Sequence, residues 1–313
     1  MTMRKKILVT GGSGLVGNAI RHISNSTDYN SLEFVFVSSA NYNLCILEDV
    51  IKLFIEHRPQ YVIHLAANVG GLYKNMTQKV DMLEKNLIMN YNVVKCSHDY
   101  NVEKLIACLS TCIFPDKVSY PITEVDLHNG PPHESNDAYA YAKRMLEVHC
   151  KAYRENYGDN FVCIIPTNIY GPNDNFDLED GHVLPALIHK CYLAKKNGIP
   201  FTIRGTGRPL RQFIYSRDLA KLIMKVLFHF NGDNIILSVP ETHETTIANI
   251  GYCIARAFDY EKHIMFDKNY SDGQYKKTVS PEKMMTLLNN EFNFTSIEDG
   301  IKETVEWFLE NKV

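Results

Sequence analysis

A short β-branched run that stops at a cluster of glycines and restarts as a helix leaves a chain few ways to fold. Ile7-Leu8-Val9-Thr10 is such a run, Gly11-Gly12-Ser13-Gly14-Leu15-Val16-Gly17 follows it, and a helical pattern continues to about residue 24. Strand, glycine turn and helix in that order open a doubly wound α/β sheet. The turn lets backbone N–H groups and a helix N-terminus approach a pyrophosphate, and Gly17 lets the helix lie close to the strand. A dinucleotide cofactor is the expectation.

The alternation continues. A strand over 33–37 runs into Ser38-Ser39-Ala40-Asn41, with no acidic residue to grip a ribose 2′-hydroxyl. Hydroxyls at Ser38 and Ser39 accept a 2′-phosphate without repelling it, so NADP(H) is expected, with Arg4, Lys5 or Lys6 as possible helpers. A helix over 48–56 precedes a strand over 61–67, where His64 reads as a core histidine and Ala66 and Ala67 let the chain pass under a cofactor. Gly70-Gly71 breaks the chain before a helix over 81–100. The next strand, 104–109, ends at Ser110-Thr111-Cys112. If it stays extended through residue 112, Ser110 and Cys112 share a face. A polar, proline-rich loop over 116–136 is long enough to need a function. A helix over 136–157 and a strand over 161–165 complete the alternation.

Beyond Gly171 the pattern becomes mixed: helices over 182–196 and 246–257, strands over 201–204, 211–215, 234–239 and 264–266, and a helix that Ser216 caps. Two more helices begin at Pro281 and Ser296. The expected architecture is a mostly parallel Rossmann sheet with a smaller α+β C-terminal lobe. Residues 1–172, with returning elements around 212–238, would form the cofactor domain, and 173–313 the substrate lobe.

The formal charge of −3 gives no general attraction to nucleic acid or an anionic membrane. No 18-residue apolar stretch exists and the N-terminal apolar run is too short for a signal peptide, so a cytoplasmic protein is expected. Eight scattered cysteines without Cys-x-x-Cys or zinc spacing read as buried thiols, and no metal is expected.

Tyr139-Ala140-Tyr141-Ala142-Lys143 lies in the 136–157 helix, so Tyr139 and Lys143 share one face. A nearby ammonium draws a phenol's pKa down, which suits protonating a carbonyl oxygen during reduction. Among 18 tyrosines, Tyr91/Lys95, Tyr100/Lys104 and Tyr192/Lys196 have the same spacing. Spacing alone therefore does not choose.

The order of glycine turn, Ser110 at the fourth strand end and Tyr-x-x-x-Lys one helix later resembles the extended short-chain dehydrogenase/reductase family. That placement selects Tyr139 and Lys143. Further stretches, His64-Leu65-Ala66-Ala67 with Gly70-Gly71, Leu109 through Pro115, Pro166-Thr167-Asn168-Ile169-Tyr170-Gly171-Pro172 and Asp180-Gly181-His182-Val183-Leu184-Pro185, are similar to one branch of that family. Its members epimerise carbons 3 and 5 of a GDP-4-keto-6-deoxy sugar and reduce carbon 4 with NADPH. The resemblance implies a site with Leu109, Ser110, Lys143, Pro166, Thr167, Asn168, Ile169 and His182 on the cofactor. Lys190, Arg204, Arg211 and Asp272 would lie on the GDP-sugar. It also implies a homodimer joined by first-domain helices, for which Leu83, Leu87, Tyr91 and Val94 offer an apolar stripe.

The resemblance also implies that Cys112 and His182 are the groups that distinguish an epimerase from a plain reductase. A 4-ketone acidifies the hydrogens at carbons 3 and 5, and inverting both centres needs a base on one ring face and an acid on the other. A thiol and an imidazole titrate close enough to neutrality for this. From the residues alone, Cys112 could be a small strand-end residue and His182 a helix-start residue. Two other readings remain: a sister epimerase or dehydratase that keeps and recycles NAD, and a silent NADP-binding regulator. Dehydratases usually carry Asp-Glu where Thr111-Cys112 stands here.

Overall fold

Short, mostly apolar runs that alternate with stretches of helical period give the chain its layers. The computed structural model describes residues 4–272 and 274–313. Residues 1–3, which lead the basic N-terminal run, and Gly273 lie outside the described residues.

The first elements are β1 (Lys5–Thr10), α1 (Leu15–Ser24), β2 (Leu32–Val37), α2 (Leu47–His57), β3 (Tyr61–His64), α3 (Leu72–Thr77) and α4 (Lys79–Asp99). Then follow β4 (Lys104–Cys108), α5 (Asp137–Tyr157), β5 (Phe161–Pro166), β6 (Asn168–Tyr170), α6 (Val183–Asn197), β7 (Phe201–Arg204), β8 (Leu210–Arg211) and β9 (Phe213–Tyr215). The chain ends with α7 (Ser216–His229), β10 (Asn234–Leu237), β11 (Thr245–Thr246), α8 (Ile247–Ala257), β12 (Ile264–Asp267), α9 (Glu282–Leu287) and α10 (Ile297–Asn311).

Six strands form one parallel sheet in the order β10-β5-β4-β3-β1-β2. Successive residues face opposite layers. Leu8, Val62, Leu105 and Cys163 pack with Val50 and Phe54 of α2, Met82 and Val93 of α4 and Leu146 of α5. Ile7, Val9, Ile63, Ile106 and Ile164 pack with Ile20 of α1, Leu219 and Ile223 of α7 and Met284 of α9. Each such fully buried side chain contributes about 1.5–3 kcal/mol, so burial on two faces dominates the sheet's stability. A third core, with Phe201, Ile203, Phe213, Ile254 and Phe308, joins α6, α8 and α10 to short strand pairs.

Chain order reverses between β1, which leads to β2 on one side, and β3, which leads away on the other. Ligands of such sheets bind beyond the strand ends at this reversal. At the opposite, N-terminal ends of the strands, Lys5 is bonded to Glu103 and Tyr61, and Lys6 pairs with Glu33. These lysines therefore cannot help hold a 2′-phosphate, and that expectation is corrected.

Several boundaries differ from the sequence reading for visible reasons. β3 stops at His64, and β4 stops at Cys108, where Thr111–Ile113 forms a 3-10 turn instead of continuing extended. The strand expected over 211–215 divides at Gln212, whose buried amide bonds Val239 and Val279. Ser216 does not cap α7: it is the first helical residue, and Tyr215 holds the cap position without a side-chain bond. The short helix α3 had no sequence forecast. Residues 116–136 are strapped down, since Ile122 bridges Val279 and Glu124 accepts the Ile236 N–H at 2.9 Å. Among the described residues no helix is long and apolar enough to cross a membrane.

Candidate active site

The cleft begins at the glycine turn. Gly11 takes φ +68°, and a Cβ there would lie 2.8 Å from the Ala66 nitrogen, so the turn can sit against the end of β3 only without a side chain. A Cβ on Gly17 would meet the Gly11 carbonyl oxygen at 2.5 Å, which brings α1 close beneath the turn. Gly12 packs on Phe36 and donates to the Val37 carbonyl at 2.8 Å. No acidic residue lies in the first turn of α1, leaving its N-terminus open to an anion. Below the turn, Thr10 Oγ1 lies 2.8 Å from His64 Nδ1 and accepts the Ala66 N–H, while His64 Nε2 lies 3.0 Å from Asn90 Oδ1. Burial pulls His64 down to about 3, so it is neutral, as a satisfied core histidine should be.

One cleft of about 800 Å³ is lined by Gly11, Ser13, Gly14, Leu15, Val16, Gly17, Ser38, Ser39, Ala66 and Ala67. Leu109, Ser110, Cys112, Tyr139, Lys143, Pro166, Thr167, Asn168, Ile169 and His182 line it too. Of the residues expected on catalysis or cofactor, only Gly12 is absent from this lining. A dinucleotide fits: the glycine cradle admits backbone donors, and Ser38, bonded to Asn41 Oδ1, presents no carboxylate at the end of β2.

The reactive groups sit where β4 ends against α5. Arg144 ties the two by donating to the Ile113 carbonyl at 2.6 Å. Ser110 caps the 3-10 turn, its hydroxyl accepting the Cys112 N–H at 3.4 Å. This turn, rather than strand geometry, brings Ser110 and Cys112 to the same cleft. Lys143 is 1% exposed and donates to the Cys108 carbonyl at 2.7 Å, with its Nζ 5.7 Å from the Tyr139 ring centre.

The electrostatics correct two expectations. Burial pushes the Tyr139 phenol well above its ordinary value, where pairing with Lys143 was expected to draw it down. Burial likewise raises the Cys112 thiol, with Lys277, Ser110 and Lys143 only partly opposing it. Lys143 and His182 are both pulled down by burial. His182 opens to solvent along the cleft yet is closely enclosed by protein, and the crowding governs its shift. The cleft thus holds a neutral phenol, a neutral thiol and an imidazole biased to neutrality. Two can give a proton and one can take it.

His182 holds the N-cap position of α6 without a side-chain bond, at the end of the segment 173–182, and lines the cleft with Cys112, which follows β4. Lys190, Arg204, Arg211 and Asp272 lie outside the cleft lining. Arg204 stacks over Tyr270 at 4.7 Å, near Lys190. Arg211 donates to the Leu210 and Gln274 carbonyls at 2.7 Å. Asp272 accepts both the Thr206 N–H and hydroxyl at 2.6 Å, so its carboxylate already holds the turn at Gly205.

Sequence reasoning missed Lys277. It is closely enclosed and interacts electrostatically with Cys112 and, more weakly, with Arg211 and Asp116, so a cation stands near the thiol. The basic end of the 269–277 loop was its only signal. Asp174 was also missed: it lines the cleft at 8% exposure, with Asn175 N–H on one oxygen and no partner among the described residues on the other. Burial raises it to about 7. The folded state therefore keeps a proton that the unfolded chain releases, and stability falls as pH climbs from about 4 to about 7. Asp174→Asn is expected to match the parent in thermal melting at pH 4 and to exceed it at pH 8, by on the order of 2–4 kcal/mol. A difference that does not widen with pH contradicts this account.

Comparison with known proteins agrees with this geometry. Residues 7–239 match the NAD dependent epimerase/dehydratase family. A GDP-L-fucose synthase of Dictyostelium discoideum is 49% identical, over 99% of this chain and 97% of its own. A probable GDP-L-fucose synthase of Drosophila melanogaster is 44% identical over 98% of each. The crystal structure of a GDP-L-fucose synthetase from Naegleria fowleri bound to NADP superposes with a TM-score of 0.94 at 48% identity, covering 99% of this chain and 94% of that one. The chain belongs to the NAD dependent epimerase/dehydratase family, the extended short-chain dehydrogenases and reductases, and within it to the GDP-L-fucose synthases.

Proposed function

We infer that this chain converts GDP-4-keto-6-deoxy-D-mannose to GDP-L-fucose, by epimerisation at carbons 3 and 5 and NADPH-dependent reduction at carbon 4. The observation that carries this reading is the meeting of Cys112, Tyr139 and His182 in the cleft that the glycine turn opens. A reductase alone needs no thiol and no second proton carrier beside its phenol.

Tyr139 and Ser110 would hydrogen-bond the 4-keto oxygen and favour the enol that forms when a proton leaves carbon 3 or 5. Cys112 and His182 would carry those protons, one group returning to the ring face opposite the one the other serves. In their neutral resting state the imidazole can take the proton leaving the ring carbon and the thiol can give one to the opposite face. Exchange with solvent would return both groups to rest before the next inversion. Tyr139 would then give its proton to the oxygen at carbon 4; burial keeps the phenol protonated until an alkoxide, a far stronger base, appears beside it. NADPH, when bound, supplies the hydride for carbon 4. Gly11 through Gly17, Ser38, Ser39, Ala66, Ala67, Leu109 and Pro166 through Ile169 would hold it, with Lys143 on its nicotinamide ribose. Lys190, Arg204, Arg211 and Lys277 would hold the nucleoside diphosphate, with Asp272 shaping the nucleoside rim. Residues 1–172, with the returning segment around 212–238, would thus serve the cofactor, and 173–313 the sugar nucleotide.

A second copy of this chain would cover the outer face of α4 and α5. There Tyr91, Tyr141, Met145 and Val148 are exposed, Leu83 and Leu87 are half-buried, and Val94 turns inward. Sedimentation should find a dimer that Met145→Glu converts to monomer; a wild-type monomer at micromolar concentration contradicts this.

With the keto-sugar and NADPH, purified protein should oxidise one NADPH per product formed. Turnover with no net cofactor consumption would instead indicate a recycling sister enzyme. Tyr139→Phe is expected to slow reduction by about 10²–10⁴-fold. Cys112→Ser should slow solvent exchange at the ring carbons while NADPH still binds. Normal turnover in the first variant, or normal exchange in the second, removes the role assigned to that residue.

A further inference from the structure

The Gly70-Gly71 pair has no part in the chemistry above, yet Gly71 is where the two walls of the cleft touch. Its N–H donates to the Asp180 carbonyl at 2.9 Å, joining the segment that follows β3 to the segment that carries His182. A Cβ on Gly71 would stand 3.1 Å from the Glu179 carbonyl oxygen and 3.2 Å from both atoms of the Asp180 carbonyl. Gly71 has φ −63°, an ordinary value, so a side chain here would meet no backbone strain but would press the Glu179–Asp180 backbone back by a few tenths of an ångström. Asn75 fixes the pair from behind, its Nδ2 donating to the Gly70 and Gly71 carbonyls at 2.8 and 3.0 Å.

The His182 segment is stiff. Asp177 Oδ1 accepts the Glu179 and Asp180 N–H groups, each at 2.8 Å, and the Gly181 N–H donates to the Asp177 carbonyl at 3.1 Å. A Cβ on Gly181 would lie 2.3 Å from that same carbonyl oxygen. Its far side is anchored by Phe176, stacked on Trp307 and against Phe308, with its carbonyl 2.8 Å from His189 Nδ1. A stiff segment held at two points moves as a unit when either point shifts. Asp180, the residue bonded to Gly71, is two positions from His182.

We propose that Gly71 is a positioning residue for His182: its close, side-chain-free contact with Glu179 and Asp180 sets the distance of the imidazole from the sugar ring. This rests on the reading of His182 as a proton carrier for ring carbons. Proton transfer tolerates little misplacement, whereas the atoms nearest a Gly71 Cβ all belong to Glu179 and Asp180 and none to the glycine turn of the cofactor cradle.

The test is site-resolved deuterium exchange into GDP-4-keto-6-deoxymannose in D₂O with NADP⁺, followed by NMR, for wild type, Gly71→Ala, His182→Gln and the double variant. Gly71→Ala is expected to slow exchange by about 10–100-fold, as a small misplacement of a catalytic group does, with NADPH affinity unchanged. In the His182→Gln background the same substitution should add no further loss, because it acts through the imidazole. Phe176→Leu, which loosens the other anchor, should show the same dependence on His182 and serves if Gly71→Ala does not fold. Normal exchange in Gly71→Ala, or losses that multiply in the double variant, overturns the proposal while leaving His182 its role. Normal exchange in His182→Gln overturns both.

Discussion

Everything in the cleft depends on how closely the end of β1 approaches the end of β3. Gly11 against Ala66 leaves no room for a Cβ, and the Thr10, His64 and Asn90 chain beneath pins the two strand ends in one register. The strand order reverses at this point, so loops diverge and a crevice opens. Ser110, Tyr139 and Lys143 border it because β4 lies directly beside β3. A side chain at Gly11 would separate the turn from β3 and, with it, the nucleotide half of the cleft from the reactive half.

Burial, more than pairing, sets the charge state of the reactive groups. Lys143 spends its proton-rich end on the Cys108 carbonyl, leaving Tyr139 among apolar neighbours and thiols. The result is a cleft in which phenol and thiol keep their protons and the imidazole tends to lack one. Such a site is at rest until a polar substrate displaces water and supplies developing charge. Lys277 is the main cation offsetting burial at Cys112, and it stands beside Arg211. On the function proposed above, Lys277 would link the thiol to the cations offered to the diphosphate.

Much of this was legible in the sequence because it rests on local signals. Gly11 through Gly17 after a β-branched run, and strands of four to six apolar residues between helical stretches, carry the sheet. Tyr139 was legible only through its place after Ser110, since three other Tyr/Lys pairs share its spacing. Other features were not readable, for physical reasons. A pKa set by burial depends on packing from several elements, so spacing predicted the wrong direction for Tyr139. The 3-10 turn at Thr111–Ile113 replaces an extended strand end because Ser110 caps it from within. Asp174 and Lys277 acquire meaning only when distant segments close around them. Gly71 reads in sequence as a chain breaker; its contact with Asp180 lies more than a hundred residues away.

The central claim is that one cleft performs two inversions and a reduction on a single GDP-sugar. NMR of the product formed from GDP-4-keto-6-deoxymannose and NADPH in D₂O tests it most directly. The account predicts GDP-L-fucose with deuterium at carbons 3 and 5 and protium at carbon 4. A product reduced at carbon 4 that retains the original configuration and protium at carbons 3 and 5 would contradict it.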